Sequence, residues 1–70
     1  MPIVLAPLNE ELTVIKILLD DKTKKHLESL GITINSKIKV LSTSGGNAIC
    51  VVKDGRLALD KTVATKIFVA

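Results

Sequence analysis

Residues 36–59 read SKIKVLSTSGGNAICVVKDGRLAL, and this stretch decides the fold. In residues 36–42 aliphatic side chains alternate with lysines, which is the period of a strand with one buried face. Residues 44–47 (SGGN) predict a turn, and residues 48–53 are rich in strand-forming side chains. Asp54-Gly55 predicts a tight hairpin, because both residues readily take a positive φ between two apolar strands. The stretch therefore predicts three consecutive antiparallel strands.

The segments on either side add two more strands and a helix. Residues 12–19 predict a strand with two largely apolar faces, and residues 66–69 predict a closing strand. One predicted face of the first strand carries Thr13, Ile15, Ile17 and Leu19, and the other carries Leu12, Val14, Lys16 and Leu18.

Between those strands, Asp20-Asp21 is expected to cap a helix of about ten residues, and Gly31 to end it as a left-handed stop. Residues 60–64 predict a short turn or a single helical turn. Pro2 and Pro7 enclose a short apolar arm, which we expect to lie over an edge or an opening of the domain because proline cannot donate to a strand ladder.

Five short strands and one helix in 70 residues predict a single mainly β domain over residues 1–70, closed as a small, strongly bent barrel. The composition is 47% hydrophobic, which excludes intrinsic disorder, and the one cysteine excludes an intramolecular disulfide. The longest apolar run, residues 48–52, is far shorter than the roughly 20 residues of a membrane-spanning helix. Residues 1–8 lack the basic start of a signal peptide, so we expect a cytoplasmic protein.

Few side chains offer chemistry, and each has a structural alternative. His26 is either an exposed helix residue or a metal ligand, and Cys50 is either a small core residue or a soft-metal ligand shared between two chains. Asp20-Asp21 fits a helix cap better than a cation site. Gly45-Gly46 fits a turn better than a phosphate cradle, because Gly-Lys-Ser/Thr does not follow it. The sequence thus favours a protein that is not an enzyme.

The order of small motifs resembles a known family. Residues 27–32 (LESLGI) follow its Leu-x-x-Leu-Gly-hydrophobic pattern, and residues 6–8 (APL) look like its opening Pro-Leu. The remaining matches are Ile38-Lys39-Val40-Leu41, Gly45-Gly46-Asn47, the valines of the next strand, Gly55, Leu57-Ala58-Leu59, Ala64, Ile67 and Val69. Together they resemble the ferrous iron transport protein A (FeoA) family, and they are also similar to the C-terminal SH3-like domain of DtxR-type iron-dependent repressors.

Two departures from the family pattern affect the expectations. Ile34-Asn35 stands where the family commonly has Pro-Gly, and the turn should survive because asparagine tolerates the left-handed conformation. Asp60 stands where a basic residue is usual after the Leu-Ala-Leu segment, which changes the local charge.

The resemblance implies an SH3-like barrel that serves as a cytoplasmic accessory to a membrane ferrous iron permease with a GTPase domain. Such a protein would act by binding, would be peripheral to the inner membrane only through its partner, and could form a weak homo-oligomer. The expected partner surface joins the helix to the last hairpin. Its predicted residues are Lys22, Lys25, Leu27, Leu30, Gly31, Arg56, Leu57 and Ala58.

Two other functions stay open at this point. One is a metal-binding regulatory domain, in which His26 and Cys50 ligate ferrous iron or zinc, including a metal-bridged dimer. The other is a small nucleic-acid-binding barrel, which the single aromatic residue and the dispersed net charge of +3 disfavour.

Overall fold

A computed structural model describes residues 1–53 and 55–70 of the chain. A 3₁₀ turn at Ile3–Leu5 precedes two helices and five strands. In chain order these are β1 (Glu11–Ile17), α1 (Asp21–Ser29), β2 (Lys37–Ser44), β3 (Asn47–Val52), β4 (Gly55–Leu59), α2 (Lys61–Ala64) and β5 (Ile67–Val69). The predicted class is confirmed: a mainly β, SH3-like domain with a short helix after its first strand.

The five strands form one antiparallel sheet in the order β4-β3-β2-β1-β5. The register of the central strands places Val40 opposite Cys50, and Cys50 opposite Leu57. The pairing shifts register in β2 and again in β1, and such irregularities bend a sheet. Gly55, which the sequence predicts as a turn residue, instead pairs with Val52 and begins β4; the other predicted turn residue, Asp54, lies outside the described residues.

The predicted faces of β1 are wrong, and a bulge is the reason. Val14 and Ile17 are buried, whereas Ile15, between them, is 49% exposed. The pairing with β5 shifts register between Val14 and Lys16, so one extra residue changes which side chains face the core. Leu18 is also exposed, because the strand ends at Ile17.

Of the two expectations for the ends of α1, the one for its start fails and the one for its end is confirmed. Asp20 occupies the N-cap position, but its side chain makes no capping hydrogen bond; its backbone carbonyl accepts from Lys24 N–H at 2.9 Å. Gly31 has a φ of +97°, the left-handed stop that the sequence predicted. Asn35, with a φ of +72°, also takes the positive φ expected of it.

The N-terminal arm is part of the core. Ile3 is fully buried, and Pro2 forms an isolated bridge with Phe68. The Met1 carbonyl accepts a hydrogen bond from Val69 N–H at 2.8 Å. As expected, the arm covers an edge, which is that of β5. The buried hydrophobic residues are Ile3, Ala6, Leu12, Val14, Ile17, Leu27, Ile32, Ile38, Val40, Ala48, Cys50, Val52, Leu59, Ala64, Ile67 and Val69.

Candidate partner-binding surface

The end of α1 fixes the position of Leu30. The N–H of Gly31 donates to the Glu28 carbonyl at 3.0 Å, and the N–H of Ile32 donates to the Leu27 carbonyl at 2.9 Å. These bonds satisfy carbonyls at the end of the helix and turn the chain toward the sheet. A Cβ on Gly31 would stand 3.7 Å from Val52 Cγ2, which shows how closely this stop approaches β3. Leu30 is therefore held, half-buried, beside the sheet.

Leu30 and the start of β4 line the same shallow depression. It has a volume of about 170 Å³, and Ser29, Leu30, Val52, Gly55, Arg56 and Leu57 line it. The predicted helix and hairpin parts of the partner surface, separated by more than twenty residues of sequence, thus meet here. Leu57 and Leu30 are half-buried, and Arg56 is exposed. The depression combines an apolar floor with one cation, a pairing that suits a side-chain or strand contact with another protein.

The other predicted partner residues lie elsewhere. Leu27 is 3% exposed and belongs to the core, so it cannot be part of an exposed surface. Gly31 acts through its conformation, as the stop of α1. Lys22 and Lys25 are exposed on α1 but do not line the depression.

Ala58 lies on the opposite face of β4 from Leu57, because successive side chains of a strand alternate. It pairs with Ile49 of β3, which is 43% exposed and which pairs in turn with Ser42 of β2. A second depression, of about 440 Å³, opens over this face. Its lining residues are Ser42, Ser44, Asn47, Ala48, Ile49, Ala58, Leu59 and Asp60.

Cations gather on the same outer face of β2, β3 and β4. Lys39 pairs with Val51, and Val51 pairs with Arg56, so the three side chains form one cross-strand row. Lys37, Lys39 and Lys53 line a third depression of about 220 Å³, and Glu11 is the one acidic residue among its described lining residues. The Lys37 ammonium donates to Thr13 Oγ1 at 2.8 Å. This outer face is therefore basic around a small apolar centre.

Ile49, the two lysines of β2 and Lys53 were absent from the predicted surface, although the sequence held a signal for the face that they share. Counting outward from the predicted Asp54-Gly55 turn pairs Lys53 with Arg56 and Val51 with Ala58, which places Ile49, Val51, Arg56 and Ala58 on one face of the sheet. In the structure Val51 pairs with Arg56 and Ile49 pairs with Ala58, so the register differs from this count by two residues, while the same side chains still share one face. Ser29 and Val52, which line the first depression, were also absent from the predicted surface. Their place in it depends on how α1 packs beside the sheet, which no local pattern specifies.

The predicted metal ligands occupy different environments. His26 is exposed near the end of α1, whereas Cys50 is fully buried in β3. Burial raises the pKa of the Cys50 thiol to about 11, which disfavours the thiolate that a metal requires. Across residues 1–53 and 55–70, no group of three or more His, Cys, Asp or Glu side chains is placed to hold a metal ion. The structure thus does not assemble the two residues into one site.

The fold places the chain among small mainly β domains of the SH3-like class. The family model for the FeoA domain matches residues 1–70, so the chain belongs to the FeoA family, a family of ferrous iron transport. A crystal structure described as an iron uptake regulatory protein (FeoA) matches with a TM-score of 0.85 and 26% sequence identity. The match covers 99% of this chain and 93% of that one.

The comparison with curated proteins gives no match. Within the described ranges, neither helix has the length and apolar character needed to cross a bilayer.

Proposed function

We propose that this chain is a small cytoplasmic accessory protein of ferrous iron uptake, and that it works without catalysis. In this proposal it binds the cytosolic, GTPase-containing region of a ferrous iron permease. Membership of the FeoA family supports a role in ferrous iron transport. The observation that carries the choice of a binding module is the depression where Leu30 of the α1 end meets Arg56 and Leu57 of β4.

The energetics of such a contact suit a small, rigid domain. Gly31 and the paired strands hold Leu30 and Leu57 in place before binding, so little conformational entropy is lost when a partner docks. The apolar floor supplies desolvation energy, and the exposed Arg56 guanidinium favours a partner carboxylate and speeds encounter. The basic outer face extends this attraction over β2 and β3.

A two-dimensional amide NMR titration tests the proposal. The ¹⁵N-labelled chain is titrated with the purified cytosolic region of the matching permease. We expect chemical-shift changes to cluster at residues 29–31 and 55–58. Leu30→Ala should weaken binding about tenfold, the scale of an apolar hot-spot residue. Ile34→Ala is the matched control, because Ile34 is an exposed aliphatic residue outside this depression, and it should change the affinity less than about twofold.

Two results would contradict the proposal. The first is a titration in which the permease region moves no peak at a concentration well above that of the labelled chain. The second is a pair of titrations in which only ferrous iron, and not the permease region, moves peaks, with the changes centred on His26 or Cys50 and abolished by His26→Ala. That second result would support the metal-binding function instead.

A further inference from the structure

The two edge strands of the sheet differ, and β4 is the uncovered one. β4 pairs with β3 through five consecutive residue pairs without a register shift. Among the described residues, the backbone hydrogen bonds outside the strand ladders involve none of residues 55–59. Every second residue of an edge strand directs its N–H and C=O away from its one neighbour. β4 thus presents a regular row of backbone donors and acceptors.

β4 also lacks the usual devices that block an edge. It contains no proline and no lysine, and its one charged residue is Arg56. With a regular register and five residues, it is long enough to pair with another strand.

A depression flanks β4 on each face of the sheet. Leu30 and Leu57 lie on one side, and Ile49 and Ala58 lie on the other. A strand added along β4 would direct its side chains alternately to the two faces. One set would enter the depression at Leu30, and the other would enter the larger depression at Ile49. An extended segment with apolar side chains on both faces therefore fits the edge better than a helix, which presents one apolar stripe.

The charges near the β4 edge favour a binding partner with acidic side chains. Arg56 is exposed on β4, and Lys39 lies in the same cross-strand row. Asp60, at the other end of β4, already accepts a hydrogen bond from Val63 N–H at 3.0 Å. A second copy of this chain would bring a net charge of +3 and the same cations to the contact, which opposes self-pairing.

We propose that the partner contributes an extended, acidic segment that adds to β4 as a sixth strand, with a carboxylate at Arg56 and apolar side chains in both depressions. This inference rests on the proposed function and specifies how that partner is bound. The affinity comes from main-chain hydrogen bonds, and the specificity comes from the two depressions and Arg56.

Amide hydrogen exchange of the ¹⁵N-labelled chain, with and without the cytosolic region of the permease, tests the mode of binding. In the free protein, the amides of β4 that point away from β3 should exchange fast. On binding, these alternate amides should gain at least about tenfold protection, since a new hydrogen bond shields each of them. Arg56→Glu should weaken binding about tenfold, whereas Lys66→Glu, the same charge reversal beside β5 at the opposite edge, should have less than about a twofold effect.

The outcomes separate the two proposals. Binding that leaves the exchange of every β4 amide unchanged would overturn strand addition and leave the partner function intact. Absence of binding would overturn both. Protection that rises with the concentration of the chain alone would identify a second copy as the occupant and refute the acidic partner segment. The exchange rates of the core amides in free Arg56→Glu establish that the variant is folded.

Discussion

The two edges of the sheet are finished in opposite ways. At β5, the chain covers its own edge: Pro2 bridges to Phe68, Met1 exchanges hydrogen bonds with Val69, and Ile3 is fully buried. At β4, no other backbone segment in the described residues takes this role. A short β-domain must protect its edges against unwanted pairing. This chain uses its own N-terminal arm at one edge, whereas the described residues leave the other edge uncovered.

The largest expected effect concerns the covered edge. Ile3→Ala removes a fully buried side chain from the arm and should lower the free energy of unfolding by about 2–4 kcal/mol, through lost burial and the cavity that remains. Urea denaturation followed by circular dichroism measures the change.

Leu5→Ala is the matched control for the arm, because Leu5 is 72% exposed. It should change the free energy of unfolding by less than about 0.5 kcal/mol. Equal effects of the two substitutions would mean that the arm does not dock through Ile3, and the contrast between the edges would lose its structural basis.

The second effect is a pH dependence of the free energy of unfolding. It arises from Cys50 in β3, the strand that pairs with β4 and contacts the arm. Burial raises the pKa of the Cys50 thiol from 9.0 to about 11. Between these pH values the unfolded chain has lost the thiol proton and the folded chain still holds it. Stability contributed by this group is therefore complete below pH 9, and it falls by up to about 1.4 kcal/mol per pH unit as the pH rises toward 11.

Cys50→Ala isolates this dependence from the titration of lysines. The variant loses packing at pH 8 and should be less stable there than the wild type. The difference between the two proteins should shrink between pH 9 and pH 10 in urea denaturation. A difference that stays constant with pH would show that the thiol is not buried in the folded protein.

The contrast between the edges also separates what the sequence could predict from what it could not. The strands β2 to β4 followed from alternation and turn residues, and Gly31 followed from the end of a helical pattern, because each of these signals is local. The buried face of β1 did not follow, since the bulge after Val14 adds one residue that no period reveals.

The candidate surface was predictable only in part. Three of the predicted residues, Leu30, Arg56 and Leu57, line one depression, but Leu27, which was chosen with them, is buried in the core. The orientation of a helix over a sheet depends on the packing of many side chains at once. The fully buried position of Ile3 is a similar case, because a short apolar arm with two prolines looks alike whether it docks or not.

A third, smaller effect concerns Gly31, which ends α1 and positions Leu30 beside the uncovered β4 edge. Gly31→Ala should lower the free energy of unfolding by about 1–2 kcal/mol, because a φ of +97° strains any residue with a Cβ. Steric overlap should add little, since the new Cβ would meet Val52 at an ordinary 3.7 Å. Thermal unfolding measures the loss, and Asn35→Gly, at a φ of +72°, is the control that should not destabilise. A neutral Gly31→Ala would mean that the end of α1 does not fix Leu30.

The smallest expected effect on the free energy of unfolding is the loss of a helix cap, and it should differ between α2 and α1. Asp60 follows directly after β4, and its carboxylate accepts from Val63 N–H, while Asn47 Oδ1 accepts from Lys61 N–H at 2.9 Å. Asp60→Ala should therefore cost about 1 kcal/mol of unfolding free energy, the usual value for a capping bond. Asp20 precedes α1 in the same position but makes no side-chain capping bond, so Asp20→Ala should cost less than about 0.5 kcal/mol. Chemical denaturation of both variants ranks their losses of unfolding free energy. The reverse order would mean that the Asp60 side chain does not stabilise the start of α2. Because the capping bond of Asp60 holds the chain directly after Leu59, the last residue of β4, Asp60→Ala should also speed amide exchange at Leu59 and leave that of β5 unchanged.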